Sequence, residues 1–423
     1  MRALHPLFAA VLAVALVAVP VGTATSGAPA PAAPPAPAVA PPEQGGAAAQ
    51  VGSPQDDAAT LNGSVEVLAL ADGVANRSTT SQVVLDVGPA VAVTANESSH
   101  ALLTRRALTR LREADDVDAA LRRELGRLET RADELGRSQR TVLAAFATGD
   151  ADARATLRRL VRIDRAARAL DDRRTSLVAA ARTRGASVPA DRSAALGREL
   201  AIYTGPVRAR LAAALTGDAP ATRVFVSTTP RGVTLAALTE SGYVRETYRG
   251  ELRRTGGAPI DRQTARRAVA EAYPTVWAGR RAVDAQAANV ARVRVTYDGG
   301  ELAATVGARN ARVFRDVHRQ SLSVAGTEAT AVNTRDGLRI LVNRSYAGGP
   351  MQIQVETVDG EPVNASITVG PAGGNSSPYG ATGPDGERWT LTPAERFTIV
   401  AIRGQSVVFI TMGPVETPRA GER

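Results

Sequence analysis

Residues 222–249 read TRVFVSTTPRGVTLAALTESGYVRETYR. Apolar residues alternate or run together in short blocks, and Pro230-Arg231-Gly232 and Glu240-Ser241-Gly242 punctuate them. This pattern predicts three consecutive antiparallel strands at 222–228, 232–238 and 243–249. A helix is expected from Asp261 to about Trp277, with Ala265, Ala268, Val269, Ala272 and Tyr273 on one stripe. Two more strands, 290–297 and 301–307, flank Asp298-Gly299-Gly300, and 311–322 continues as a strand or short helix. The order βββαββ predicts an α+β domain over 218–325, with one helix on an antiparallel sheet.

Upstream, the period is helical for over a hundred residues from Ser98, where Ser98 or Ser99 can cap a first helix. Leu121, Leu128, Leu135 and Val142 are seven apart, with Leu125, Ala132 and Phe146 on the partner seam. That heptad, broken at Gly149-Asp150 and followed by a helix from Asp152, predicts an antiparallel, coiled-coil-like hairpin. Shorter helices at 191–200 and 206–215 close it. Two short strands, SVEVLAL (64–70) and SQVVLDVG (81–88), precede the helices and must pair with strands further along, because two alone are not stable. With them the helical domain spans 61–217. Downstream, 326–415 is all β, with strands at 337–346, 351–358, 362–370, 387–393, 397–402 and 406–412. Its close turns predict a C-terminal β-sandwich, followed by a polar tail at 416–423. The fold class is therefore multidomain α+β.

The first residues bound the compartment. Arg2, the apolar run Leu7–Val21 and the small residues Gly22-Thr23-Ala24 have the layout of a signal peptide over 1–24. Residues 25–60 are a Pro/Ala/Gly-rich linker, too poor in apolar residues for a core and suited to extended polyproline II. The absence of cysteine removes disulfides and a thiol nucleophile from the options. The charge is +9, carried entirely by arginine, because no lysine occurs. Residues 101–185 hold 20 arginines against 13 acids, many paired three or four apart as in Glu124–Arg127 and Asp164–Arg168. These are read as solvated helix faces, and no aromatic stacking platform accompanies them, so no nucleic-acid partner is expected.

Chemistry-bearing residues are few. After the signal, only His100 and His318 remain, in different domains, and no nucleophile elbow, zinc-binding helix or Walker loop occurs. His100 is expected to be exposed and His318 structural or superficial. The acid pairs Asp115-Asp116, Asp150/Asp152 and Asp171-Asp172 lack the spacing of a calcium loop, and the first two sit at helix starts. Turn chemistry accounts for Asp298, Asp359 and Asp385. No catalytic, cofactor-binding or metal-ligating residue is assigned. Six Asn-x-Ser sequons, at Asn62, Asn76, Asn96, Asn343, Asn364 and Asn375, are possible glycosylation sites.

Two resemblances add to this reading. TVDGEPVNASITVG, SPYGATGPDGERWTLTP and FTIVAI resemble the carboxypeptidase regulatory-like or transthyretin-like sandwich, through Gly360, Pro362, Val363, Thr382, Gly383, Asp385, Gly386, Leu391 and Pro393. The resemblance implies a non-catalytic, Ig-like accessory module. The body resembles a family of uncharacterised exported proteins of halophilic archaea, through SQVVLDVGPAVAV, GPVRARLAAALTGDAPATRVFVSTTPRGV and YDGGELAATVGARNARVFRDVHRQSL. This chain departs from such proteins in being basic. The βββαββ unit is also similar to the PepSY fold, an inhibitory module of protease propeptides. The expectation is a non-enzymatic protein of the extracellular face of the envelope, with a structural or binding role. Its partners would be an envelope protein or an anionic surface polymer, with membrane contact only through an uncleaved signal. The alternatives are a regulator of extracellular proteolysis through the PepSY-like unit and an envelope-polymer hydrolase.

Overall fold

The structure is a computed structural model that describes residues 65–240, 242–254, 258–322 and 331–421. Strand β1 (Arg77–Val83) leads into five helices: α1 (Val87–Arg112), α2 (Val117–Ala147), α3 (Ala153–Thr183), α4 (Ala190–Ile202) and α5 (Pro206–Thr216). The expected hairpin is α2 and α3, with Asp116 and Asp152 capping their first turns through Ala119 and Ala155 N–H. Leu121, Leu125, Leu128, Ala132, Val142 and Phe146 are buried along the heptad seam. The first helix starts at Val87 rather than Ser98. Pro89, which reads as a turn residue, stands in the first helical turn, where a missing N–H costs nothing. The strand expected at 81–88 therefore ends at Val83 and begins earlier, at Arg77.

The three strands of the opening motif are β2 (Thr222–Thr229), β3 (Gly232–Thr239) and β4 (Gly242–Arg249). The helix expected from Asp261 is two: α6 (Arg262–Ala272) and α7 (Pro274–Ala278). Pro274 forbids helical geometry at the residue before it, so Tyr273 sits at φ −131°, ψ 64° and breaks the axis. Then follow β5 (Arg280–Gln286), unread in the sequence, β6 (Val290–Tyr297), β7 (Gly300–Gly307) and β8 (Val313–Gln320). The α+β unit is thus βββααββββ rather than βββαββ. With β1 its strands form one antiparallel sheet of eight, ordered β1-β2-β3-β4-β8-β7-β6-β5.

The central strands β2, β3, β4 and β8 are covered on both faces, whereas β6 alternates buried and exposed residues. Val224, Val226, Val233, Leu235 and Ala237 join the helices in one core. On the opposite face, α6 and α7 pack on Val293, Val295, Leu302 and Ala304, and Phe225, Ala236 and Tyr243 meet Leu391 of the C-terminal sandwich. The sandwich has two four-stranded sheets. One is β14-β11-β10-β9, of β9 (Ala331–Arg335), β10 (Leu338–Arg344), β11 (Pro350–Thr357) and β14 (Glu387–Leu391). The other is β13-β12-β15-β16, of β12 (Ser366–Pro371), β13 (Ser377–Ala381), β15 (Phe397–Arg403) and β16 (Ser406–Met412). Strands β9 and β13 were not read from the sequence. At the joint, Gly348 (φ +76°) lies so close to the Phe225 ring that any side chain would overlap it.

The described part of the expected strand 64–70 pairs with no sheet strand. It is a buried strap across the sheet, with Val67 fully covered and Leu68 and Leu70 nearly so. The tail expected to be merely polar holds it: Val67 N–H donates to Pro418 O at 2.8 Å, and Ala420 N–H donates to Val67 O at 3.0 Å. The change of period near residue 218 thus marks a change of secondary structure and not a gap in packing. Expressed alone, residues 218–325 expose both apolar faces of β2 and β3, and are expected to show no cooperative melting. A sharp thermal transition in that fragment would contradict this.

Candidate functional site

Where the strap crosses β4 and β8, the pairing Arg245↔His318 and Thr247↔Asp316 gathers charged side chains inside the protein. Asp316 and His318 are fully buried and Arg245 nearly so. Asp316 Oδ2 accepts from Leu68 N–H at 2.8 Å and from Tyr273 O–H at 3.2 Å, and lies 3.1 Å from His318 Nε2. Arg245 stands 3.9 Å from Asp316 Oδ1 and donates to Leu68 O at 3.0 Å. Tyr243 donates to Gly348 O at 3.0 Å, carrying the network into the sandwich. Glu66 accepts from Thr275 N–H at 3.1 Å and from its hydroxyl at 2.6 Å, at the start of α7.

An Asp–His pair invites a catalytic reading, and the geometry answers it. Both side chains are sealed from solvent, and their partners are the strap, α6–α7 and β4. Burial by itself would raise the Asp316 carboxyl; the His318 hydrogen bond, the Arg245 charge and the Leu68 N–H together hold it below the ordinary aspartate range. Burial pushes the Tyr243 and Tyr273 phenols up, so both remain neutral donors. The cluster is a structural joint.

A second buried network lies on the helical face. Glu246 accepts from Arg208 Nε at 3.0 Å and from Val207 N–H at 3.1 Å. Arg208 also donates to Gln139 Oε1 at 3.0 Å and to Tyr203 O at 2.6 Å, and Arg315 donates to Thr204 O at 2.6 Å. Gly205 lets the corner approach this closely, because a Cβ there would overlap the Glu246 carboxylate as it is held. Burial raises Glu246 and lowers Arg315 to about 10. These groups dock the α4–α5 corner onto the sheet.

Among the acid pairs of the helices, Asp116 and Asp152 are caps, Asp150 accepts from the Thr148 hydroxyl and Asp171 pairs with Arg174. Among the described residues no three His, Cys, Asp or Glu side chains gather as a metal site. His100 is half-buried rather than exposed; burial, then the nearby Arg173, lowers its pKa. The sequons divide. Asn62 lies outside the described residues. Asn76, Asn364 and Asn375 are exposed, and Asn96 is half-buried on α1. Asn343 is buried, its amide donating to Gln352 Oε1 at 2.8 Å, and its sequon partner Ser345 is buried too.

The open feature is a groove of about 480 Å³ between β1 and the sandwich. Ser78, Thr80 and Gln82 form one wall, and Asn375, Ser377 and Pro378 stand on the other. Thr80 pairs with Phe225, so this face of β1 is the one turned to the sandwich. Arg223 donates to Pro378 O at 3.2 Å, with its guanidinium 3.3 Å from the centre of the Tyr379 ring, closing one end. Sequence reading missed the groove because its walls are about 150 to 300 residues apart and carry no distinctive motif.

Residues 1–220 match the family described as a domain of unknown function, DUF7096. That is over half of the 423 residues. The chain belongs to the DUF7096 family. Residues 224–325 match a second family of unknown function, DUF7094, and 329–410 match the archaeal fibronectin-III type-like domain. An uncharacterised archaeal family with a C-terminal Ig-like sandwich is therefore shown. The residues behind the transthyretin-like resemblance serve this fibronectin-type sandwich as turns and anchors. Thr382, for example, donates to Val363 O at 2.7 Å and accepts from Ala365 N–H at 2.9 Å. No curated protein and no solved structure matches the chain. The DUF7096 and DUF7094 stretches meet at β2 and share one sheet and one core.

Replacing Asp316 by Asn removes a buried charge from beside Arg245 and is expected to cost about 3 kcal/mol in urea unfolding. The sign with pH follows from linkage. A lowered folded-state pKa adds stability that is present above the ordinary aspartate range and lost as pH falls through the folded value. The wild-type acid limb should therefore be steeper than that of Asp316→Asn; identical acid limbs would remove this role.

Proposed function

We propose that this is an exported, non-enzymatic protein of the outer face of a halophilic archaeal envelope, held by its N-terminal region and acting by binding. The observation that carries the reading is the strap. The chain that follows the signal-like and Pro/Ala-rich sequence enters the body at Val65 and is at once fixed by Glu66, Val67 and Leu68 to α7, the C-terminal tail and Asp316. A body held by its N-terminus needs such a root, because load on the extension then reaches the sheet rather than a loose end. The sealed Asp316–His318 pair supports binding over chemistry, since no substrate reaches it. The match of the sandwich to a fibronectin-III type-like domain supports an accessory role, because such sandwiches serve many cell-surface proteins, and the arginine-rich helices fit an anionic surface polymer or an envelope protein as partner.

A C-terminally tagged chain in its host is expected in the envelope fraction, with the tag open to protease on intact cells. A cytosolic tag protected until lysis would overturn the reading. Mass spectrometry of the host-derived protein is expected to find glycans at Asn76, Asn364 or Asn375, whose side chains are exposed, and none at Asn343. A glycan on Asn343 would mean that modification precedes folding there.

A further inference from the structure

Strand β1 ends the eight-stranded sheet, with β2 on one side and no strand on the other among the described residues. Exposed edges are ordinarily guarded by charge, proline or a bulge. β1 has none of these from Ser78 to Val83, which read STTSQV in unbroken register with β2. Its single charge, Arg77, is turned away: it donates to Ala151 O at 3.0 Å and sits 4.9 Å from the Phe146 ring, on the helices. The seven residues offer about 23 Å of unpaired main chain, beside a groove of about 480 Å³. We propose that this groove takes an extended segment of a partner protein, which pairs with β1 as a ninth strand under the overhang of the sandwich.

The occupant follows from the walls. An open row of main-chain N–H and C=O groups is satisfied by another main chain. The hydroxyls and amides of Ser78, Thr80, Gln82, Asn375 and Ser377 suit small or polar side chains at alternate positions of that strand. A saccharide would want an aromatic platform. Here one face of Tyr379 is covered by Arg223, and Phe397 is buried. The inference rests on the binding role proposed above and names its ligand.

The test is to pan a random-peptide phage library on the purified full body and follow the enriched peptides by amide hydrogen exchange. The enriched peptides are expected to lack proline at alternate positions and to protect β1 amides. Outward-facing N–H groups alternate along a strand, so one of Thr79→Pro and Thr80→Pro removes such a group. That variant, and Ser377→Trp, which fills the groove from an exposed position, should each weaken binding about tenfold. Melting of Ser377→Trp should stay at the wild-type temperature. Three results would overturn the proposal: no enrichment, binding without β1 protection, or β1 protection that rises with protein concentration alone, which would make the occupant a second copy. Any of these with the tag still on the envelope removes the peptide and leaves the envelope role standing.

Discussion

One carboxylate joins three parts of the molecule. Asp316 sits on β8, is fully buried, and receives a main-chain N–H from the strap and a phenol from the break between α6 and α7, with the guanidinium of β4 beside it. An ionised carboxylate without partners is among the costliest groups to bury, so the position is tenable only when all of these elements are in place. Their arrival is thereby coupled. The strap cannot leave without stranding the charge, and the α6–α7 corner cannot shift without removing the Tyr273 donor. Continuity into the sandwich runs through Tyr243 and Gly348, on the same face of β4 as Arg245.

The opposite face solves its own problem differently. Glu246 and Arg208 are both buried and answer each other directly, with the main chain of the α4–α5 corner filling their remaining bonds. Adjacent residues Arg245 and Glu246 therefore point to opposite faces, and each anchors a different layer. The central strand of this sheet is fixed less by its apolar content than by two charges whose partners come from opposite sides. Such pairs contribute little net stability against apolar substitutes but enforce register, because a one-residue slip would bury each charge among the wrong neighbours.

That arrangement explains what could be read from the sequence. The alternation of β2, β3 and β4, the heptad of α2 and the helix starts marked by Asp116 and Asp152 are local signals and are legible in the sequence. Tyr273 reads as one more apolar position of a helix, although Pro274 next to it carried the information that the helix breaks there. β5, β9 and β13 are mostly exposed edge strands without strong apolar patterning, so periodicity had little to act on. The clusters were illegible for another reason. YVRETYR and VFRDVHRQ look half-solvated, yet both faces are covered, and the groups that neutralise them lie far off in the chain, at Leu68, Tyr273, Thr204 and Arg208. No window of sequence contains both halves of such a contact.

The same logic separates the joint from the groove. At the crossing of the strap, Asp316 Oδ2 draws its bonds from the strap, Tyr273 and His318, all groups of the protein itself, as a structural joint requires. At β1 the balance reverses. Its inward side is bonded to β2, its one charge is spent on the helices, and its outer edge and the facing hydroxyls and amides are left to solvent. Folding alone would favour guarding that edge, since an unguarded strand invites association. Beside it, the sandwich forms the other wall of the groove. A free edge that is both unguarded and set in a groove is the arrangement expected where pairing with another chain is the purpose rather than the hazard.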